Sequence, residues 1–154
     1  MIPRFKAWDG GSLSRMYSPS EVMVGDSCIW ILDEDSGSNE WIINNDLNLM
    51  QSTGLKDKNG KEIYEGDILK FNDEWDGYCY EGYVDGVFEG VNYVEIEKET
   101  TCFGFGKTKI PESSLFNLVN DEHLTFKELI TDTSFEFEII GNIHTNPELV
   151  EVSS

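Results

Sequence analysis

Residues able to do chemistry are few in this chain, and each group of them misses part of the pattern its chemistry needs. Asp33, Glu34, Asp35 and Asn39 crowd oxygen ligands into one polar stretch, as a calcium loop does. An EF-hand loop counted from Asp33 needs Gly at its sixth position and Glu at its twelfth. Ser38 and Asn44 stand there, so a solvated hairpin loop is expected. Gly106, Lys107 and Thr108 form the second half of a phosphate-binding loop, GxxxxGK followed by Ser or Thr. The leading glycine belongs five positions before Gly106, where Thr101 stands, and the segment reads as a strand end. Cys28, Cys79 and Cys102 with His123 and His144 are the only thiols and imidazoles. They form no CxxC pair and lack zinc-ligand spacing. We expect buried free thiols, no metal and no cofactor. No Ser, Cys or Thr carries the local signature of a nucleophile. Paired carboxylates say little in a chain with 30 of them.

The stretch TGLKDKNGKEIYEGDI, Thr53 to Ile68, is denser in information. Its turn residues fall at Asn59-Gly60 and Gly66-Asp67, with apolar Leu55, Ile63, Tyr64 and Ile68 between and beside them. One reading is structural. Gly66 supplies a positive φ, Asp67 caps the turn through its carboxylate, and Asp57 decorates an exposed turn. The other reading is a presented loop, with Lys56, Asp57, Lys58, Asn59, Glu65 and Asp67 as candidate partner-binding residues. No catalytic residue is assigned.

The elements that must position these residues are short and extended. Ile2 to Trp8 and Leu13 to Tyr17, joined by Asp9-Gly10-Gly11, read as a hairpin. Ser27–Leu32 and Glu40–Asn44 read as further strands flanking the polar loop. Strands are expected at Ile68–Phe71, Tyr78–Val84, Val91–Glu97 and Thr101–Phe105, with Asp76-Gly77, Asp85-Gly86 and Gly90 as punctuation. Leu124–Ile130 fits a short helix or a strand. Phe135 to Ile140 alternates apolar and acidic residues and is expected to end at Gly141. Pro147 opens a final helical turn. Short strands with turns this regular suggest a small barrel. The expected class is mainly β with little helix: N-terminal β-hairpins over residues 1–53, then a barrel region over 54–154.

Composition narrows the partners. The chain has 154 residues, with 30 acidic against 11 basic and a formal net charge of -19. Duplex DNA is bound through Lys and Arg that displace counterions, so direct nucleic-acid binding is not expected. Anionic membrane is disfavoured on the same ground. The N-terminus MIPRFKAWDGG has no apolar secretory region, and no apolar run nears the roughly 20 residues that span a bilayer. The expected address is the cytoplasm.

Three segments resemble the YopX family of phage and prophage proteins: RFKAWD at Arg4–Asp9, LMQSTGLKDKNGKEIYEGDILKF at Leu49–Phe71, and IIGNIHTNPELV at Ile139–Val150. They follow the family's order along the chain. Between Asp73 and Glu138 no family motif is identified. The resemblance implies an SH3-like barrel in the C-terminal part, expression inside a host bacterium, and a tendency to self-associate. It implies no activity, cofactor or catalytic residue. The leading expectation is therefore a non-enzymatic accessory protein that binds an unidentified protein partner or itself as a homo-oligomer. Two alternatives stand beside it. One is an acidic DNA mimic that blocks a nucleic-acid-binding protein, using residues such as Glu136 and Glu138. The other is an enzyme acting on a small molecule or nucleotide, with a pocket near Asp57, Glu65, Asp67 or His144.

Overall fold

A computed structural model describes residues 4–11, 14–33, 40–78, 84–99, 102–110, 113–115, 118 and 124–151; for Asp33, 75–78 and 84–88 it describes the backbone only. The chain divides into two compact units, Met1–Ser52 and Thr53–Ser154. Eleven strands are described, and the one helix with described bounds has six residues. The protein is mainly β. Among the described residues no helix is long and apolar enough to cross a membrane.

In the first unit β1 (Phe5–Asp9) pairs antiparallel with β2 (Arg15–Tyr17), in the register Ala7 to Tyr17. This is the hairpin read from Asp9-Gly10-Gly11. A 3-10 turn, Pro19–Glu21, follows, and the Glu21 carboxylate accepts from the Ser18 amide and hydroxyl. The next hairpin has no counterpart in the sequence reading. β3 (Val22–Gly25) meets β4 (Cys28–Asp33) through the two-residue turn Asp26-Ser27. Both turn residues have positive φ, 51° and 61°. That is the geometry that matches the twist of a tight hairpin, although Asn-Gly or Asp-Gly is its usual sequence. β5 (Glu40–Ile43) completes a three-stranded sheet in the order β3-β4-β5. One face of that sheet packs Val22, Ile29 and Ile31 with Ala7, Tyr17, Leu47 and Leu49.

β6 (Asn48–Lys56) begins beside β1, with Phe5 opposite Gln51. Its last residues open the second unit, where β7 (Glu62–Tyr64) is its neighbour. The second unit is built on one long hairpin, β8 (Asp67–Tyr78) and β9 (Val84–Lys98). The pairing runs from Ile68 opposite Glu95 to Tyr78 opposite Val84. Asp76-Gly77, Asp85-Gly86 and Gly90 were expected to break the chain into short strands. They lie inside β8 and β9 instead, with Gly77 facing Gly86. Tyr78 and Val84, the ends of one expected strand, belong to two different strands and face each other; residues 79–83 lie outside the described residues. β10 (Phe103–Thr108) and β11 (Glu138–Asn142) flank the hairpin in the order β10-β9-β8-β11. Among the described residues no ladder joins β10 to β11. The sheets curl as half a barrel does.

The second core follows the period-two pattern. Leu69 and Phe71 of β8 point inward with Val94 and Ile96 of β9, Ile63, Leu115, Phe135 and Phe137. Phe137 centres an aromatic group, with ring centroids 5.1 Å from Phe71 and 5.7 Å from Phe105. The helix α1 (Phe126–Thr131) closes one side. Thr125 caps it by accepting from the Glu128 amide, and Leu129 and Ile130 are buried. Phe135 and Phe137 were expected within a strand from 135 to 140. Glu136 takes φ 50°, so that segment is kinked, and the strand starts at Glu138 and runs through Gly141 to Asn142. A 3-10 turn opens at Pro147, as expected.

Candidate functional site

The segment from Thr53 to Ile68 is spent on holding the second unit together. Gly54, Gly60 and Gly66 all have φ near +80°, a region costly for any residue with a Cβ. Asp57 is not the exposed decoration expected of it. It is 7% exposed. One carboxylate oxygen accepts from the Asn59 and Lys61 amides at 2.9 Å each, and the other accepts from the Ile139 amide at 3.0 Å. The Lys58 amide donates to the Phe137 carbonyl. Asp67 is also buried, and its carboxylate accepts from the Tyr64 amide at 2.8 Å. Gly66 donates to Ile96 and accepts from Ile143. Of the six partner-binding candidates, Lys56, Lys58 and Asn59 are exposed, Glu65 is half-buried, and Asp57 and Asp67 face inward. Lys58 reaches Glu138 at 3.2 Å, so Glu138 is not free to present an isolated charge. Glu136 is exposed and its carboxylate accepts from Asn72.

The IIGNIHTNPELV segment is held the same way. The Asn142 side chain accepts from the amides of His144 and Thr145. A Cβ on Gly141 would fall 2.4 Å from the Asn146 side-chain oxygen, so only glycine lets that side chain lie over the strand. Burial holds the His144 imidazole below its ordinary pKa, which keeps it neutral at pH 7.

A cleft of about 780 Å³ opens at Asn72, Asp73, Glu74, Glu89, Val91, Ser114, Leu118, Asp132 and Phe135. None of Asp57, Glu65, Asp67 or His144 lines it. Its one buried carboxylate, Asp73, is saturated. It accepts from the Glu74 amide, from the Ser114 amide and hydroxyl, and from the Asn92 side chain. Asn92 is itself buried. Its oxygen accepts from the Ile110 and Tyr93 amides, and its nitrogen donates to the Ile110 carbonyl as well as to Asp73. This network pins Ile110 and Ser114 to the hairpin. Among the described residues no cluster of His, Cys, Asp or Glu has the geometry to hold a metal. Cys28 is free and half-buried. Cys102 is free and exposed, against the expectation of a buried thiol. Cys79, His123 and the loop at 34–39 lie outside the described residues.

The surface that the sequence did not single out is the outer face of β3-β4-β5. The register sets Met23, Trp30 and Ile43 in one row across the sheet, and Leu32 with Trp41 in the next. Side chains opposite one another share a face, so these five form a continuous apolar layer. Met23 and Ile43 are each 49% exposed and Trp41 40%. A groove of about 350 Å³ on this sheet is lined by Met23, Val24, Gly25, Asp26, Trp30 and Trp41. A signal was present in the sequence. Trp30 and Trp41 lie in strands whose residues are apolar at successive positions rather than alternating, as in strands covered on both faces.

No curated protein matches this sequence. Among solved structures, protein EF1440 from Enterococcus faecalis is similar, with 28% identity over 98% of this chain and 99% of that one, and a TM-score of 0.49. The family model described as YopX protein matches residues 4–151. The three segments read from the sequence lie within that match, and the chain belongs to the YopX family.

Proposed function

We propose that this chain is a non-enzymatic accessory protein of phage or prophage origin, acting in the bacterial cytoplasm by binding protein, either a partner or a further copy of itself. The apolar outer face of β3-β4-β5 supports this reading. Met23, Trp41 and Ile43 leave apolar surface of this face in water, and exposed apolar patches of this kind mark interaction surfaces. The exposed aromatics and Met on it are types enriched in interface cores. Lys56 and Asn59, exposed on the second unit, are the candidates for a subsidiary contact.

The test compares wild-type protein with a Trp41→Ser, Ile43→Ser double variant. Trp41 and Ile43 are 40% and 49% exposed and belong to neither buried core cluster, so the variant keeps its fold by far-UV circular dichroism. Sedimentation velocity after cross-linking in expressing cells should show the wild type in a complex or an oligomer and the variant as a monomer. Identical monomeric profiles for both would overturn the proposal. Duplex DNA added at physiological salt should produce no anisotropy change, because the net charge of -19 opposes it.

A further inference from the structure

We infer that the groove between Trp30 and Trp41 receives a Lys or Arg side chain from a basic segment of a partner protein. This rests on the protein-binding reading and names the chemistry of its partner. Among the described residues the groove is lined by apolar Met23 and Val24, by two indole rings and by one ionisable group, Asp26. Lys and Arg have that dual character, an apolar stem ending in a cation. Trp offers the best aromatic face for a cation, and Arg uses it more often than Lys does. Asp26 sits in the tight turn between β3 and β4 and is exposed, so its carboxylate stands at the groove's rim where the cationic end would lie.

The surroundings match this. From Met16 to Leu55 the sequence holds seven carboxylates and no Lys or Arg. Among the described residues of β3, β4, β5 and the turn between β3 and β4, the charged ones are Asp26, Asp33 and Glu40, all acidic. A second copy of the chain would set like charges against each other, which is costly at a contact. A partner segment with basic residues around an apolar anchor satisfies both parts of the surface.

Random dodecapeptides displayed on phage serve as the probe, selected against the immobilised full chain. Enriched peptides should carry Lys or Arg next to an apolar or aromatic residue. A fluorescein-labelled copy of the most enriched peptide should lose affinity as salt rises, since exposed charge pairs are screened. Asp26→Asn should weaken it about fivefold, in the range of an exposed charge contact converted to affinity. Asn tolerates the positive φ of that turn, so the loss is not a folding effect. Trp41→Ser should weaken it about tenfold or more, with an unchanged melting temperature. Enrichment of neutral or acidic peptides, no enrichment, or affinity insensitive to Asp26→Asn would each overturn the inference. So would dimers of the chain that strengthen with salt and are lost in Trp41→Ser, because the occupant would then be a second copy. In that last case, and with neutral peptides that still need Trp41, the protein-binding reading stands. It falls only if wild type and variant are indistinguishable in every binding assay.

Discussion

Replacing Asp57 by Ala should destabilise the second unit by about 3 kcal/mol. The side chain is buried and satisfies three backbone amides, those of Asn59, Lys61 and Ile139. A buried donor left without a partner costs roughly 1–3 kcal/mol. Asn59 and Lys61 are exposed, so water recovers much of their loss. Ile139 is half-buried within β11, and its amide recovers least. The sum of one near-full penalty and two partial ones gives the figure. For a chain of this size it corresponds to a fall in Tm of about 6–12 °C. Asp57→Asn keeps one oxygen acceptor and should lose about half as much. Urea unfolding followed by circular dichroism and tryptophan fluorescence measures both variants, and the midpoint should move while the slope stays constant. A change under about 0.5 kcal/mol for Asp57→Ala is the ordinary value for a surface substitution. That result would refute the claim that this carboxylate ties the β6–β7 turn to β11.

Gly66→Val should also destabilise the second unit, since a β-branched residue at φ 85° is strained by roughly 1–2 kcal/mol or more; the same urea unfolding checks it. Asn92→Leu should cost about 3 kcal/mol or more, because it strips partners from Asp73, Ile110 and Tyr93 at once. Amide exchange should then quicken at Ile110 and Ser114, and an unchanged exchange pattern would contradict the pinning role. Glu95 is held above its ordinary pKa by burial, with the neighbouring Glu97 adding to the shift and Lys107 opposing it. A raised carboxyl pKa means the folded state takes up its proton first, so this residue weakens the fold at neutral pH and the penalty disappears as pH falls towards 4.5. Glu95→Gln should accordingly raise stability at pH 7 and make no difference in acid, as thermal melts across that range would show.

The sequence disclosed the class and the ends of the chain better than its middle. Phe135, Phe137, Leu69 and Phe71 alternate with polar residues, and the structure buries all four. Gly66 announced its positive φ because a glycine before Asp67 marks a tight turn, and the structure gives it φ 85°. The long β8–β9 hairpin was misread because Asp-Gly pairs normally signal turns. Here Asp76-Gly77 and Asp85-Gly86 sit within the ladder, where cross-strand pairing decided their conformation over local preference. The hairpin at Asp26-Ser27 was missed for the opposite reason. Its turn adopts strained φ values without the glycine that would have advertised them. Asp57 looked like turn decoration because its third hydrogen bond reaches a residue far along the chain, and no local pattern encodes that. The apolar layer on β3-β4-β5 was legible residue by residue. Which face it lay on depended on pairing register, which only the structure supplies.

The contact between Asp57 and Ile139 spans 82 residues, and β11 pairs along the edge of β8 with a similar separation. During synthesis both wait for the same late segment. The first unit, ending at Ser52, has all its strand partners long before then. The second must hold the β8 edge open, with its N–H and C=O groups unpaired, until Glu138–Asn142 emerges. Non-local pairings of this kind are slow to form, and an open strand edge is the form of a nascent chain most prone to pair with the wrong neighbour. The acidic surplus in the second unit then has a use before the fold exists, as repulsion that keeps waiting chains apart.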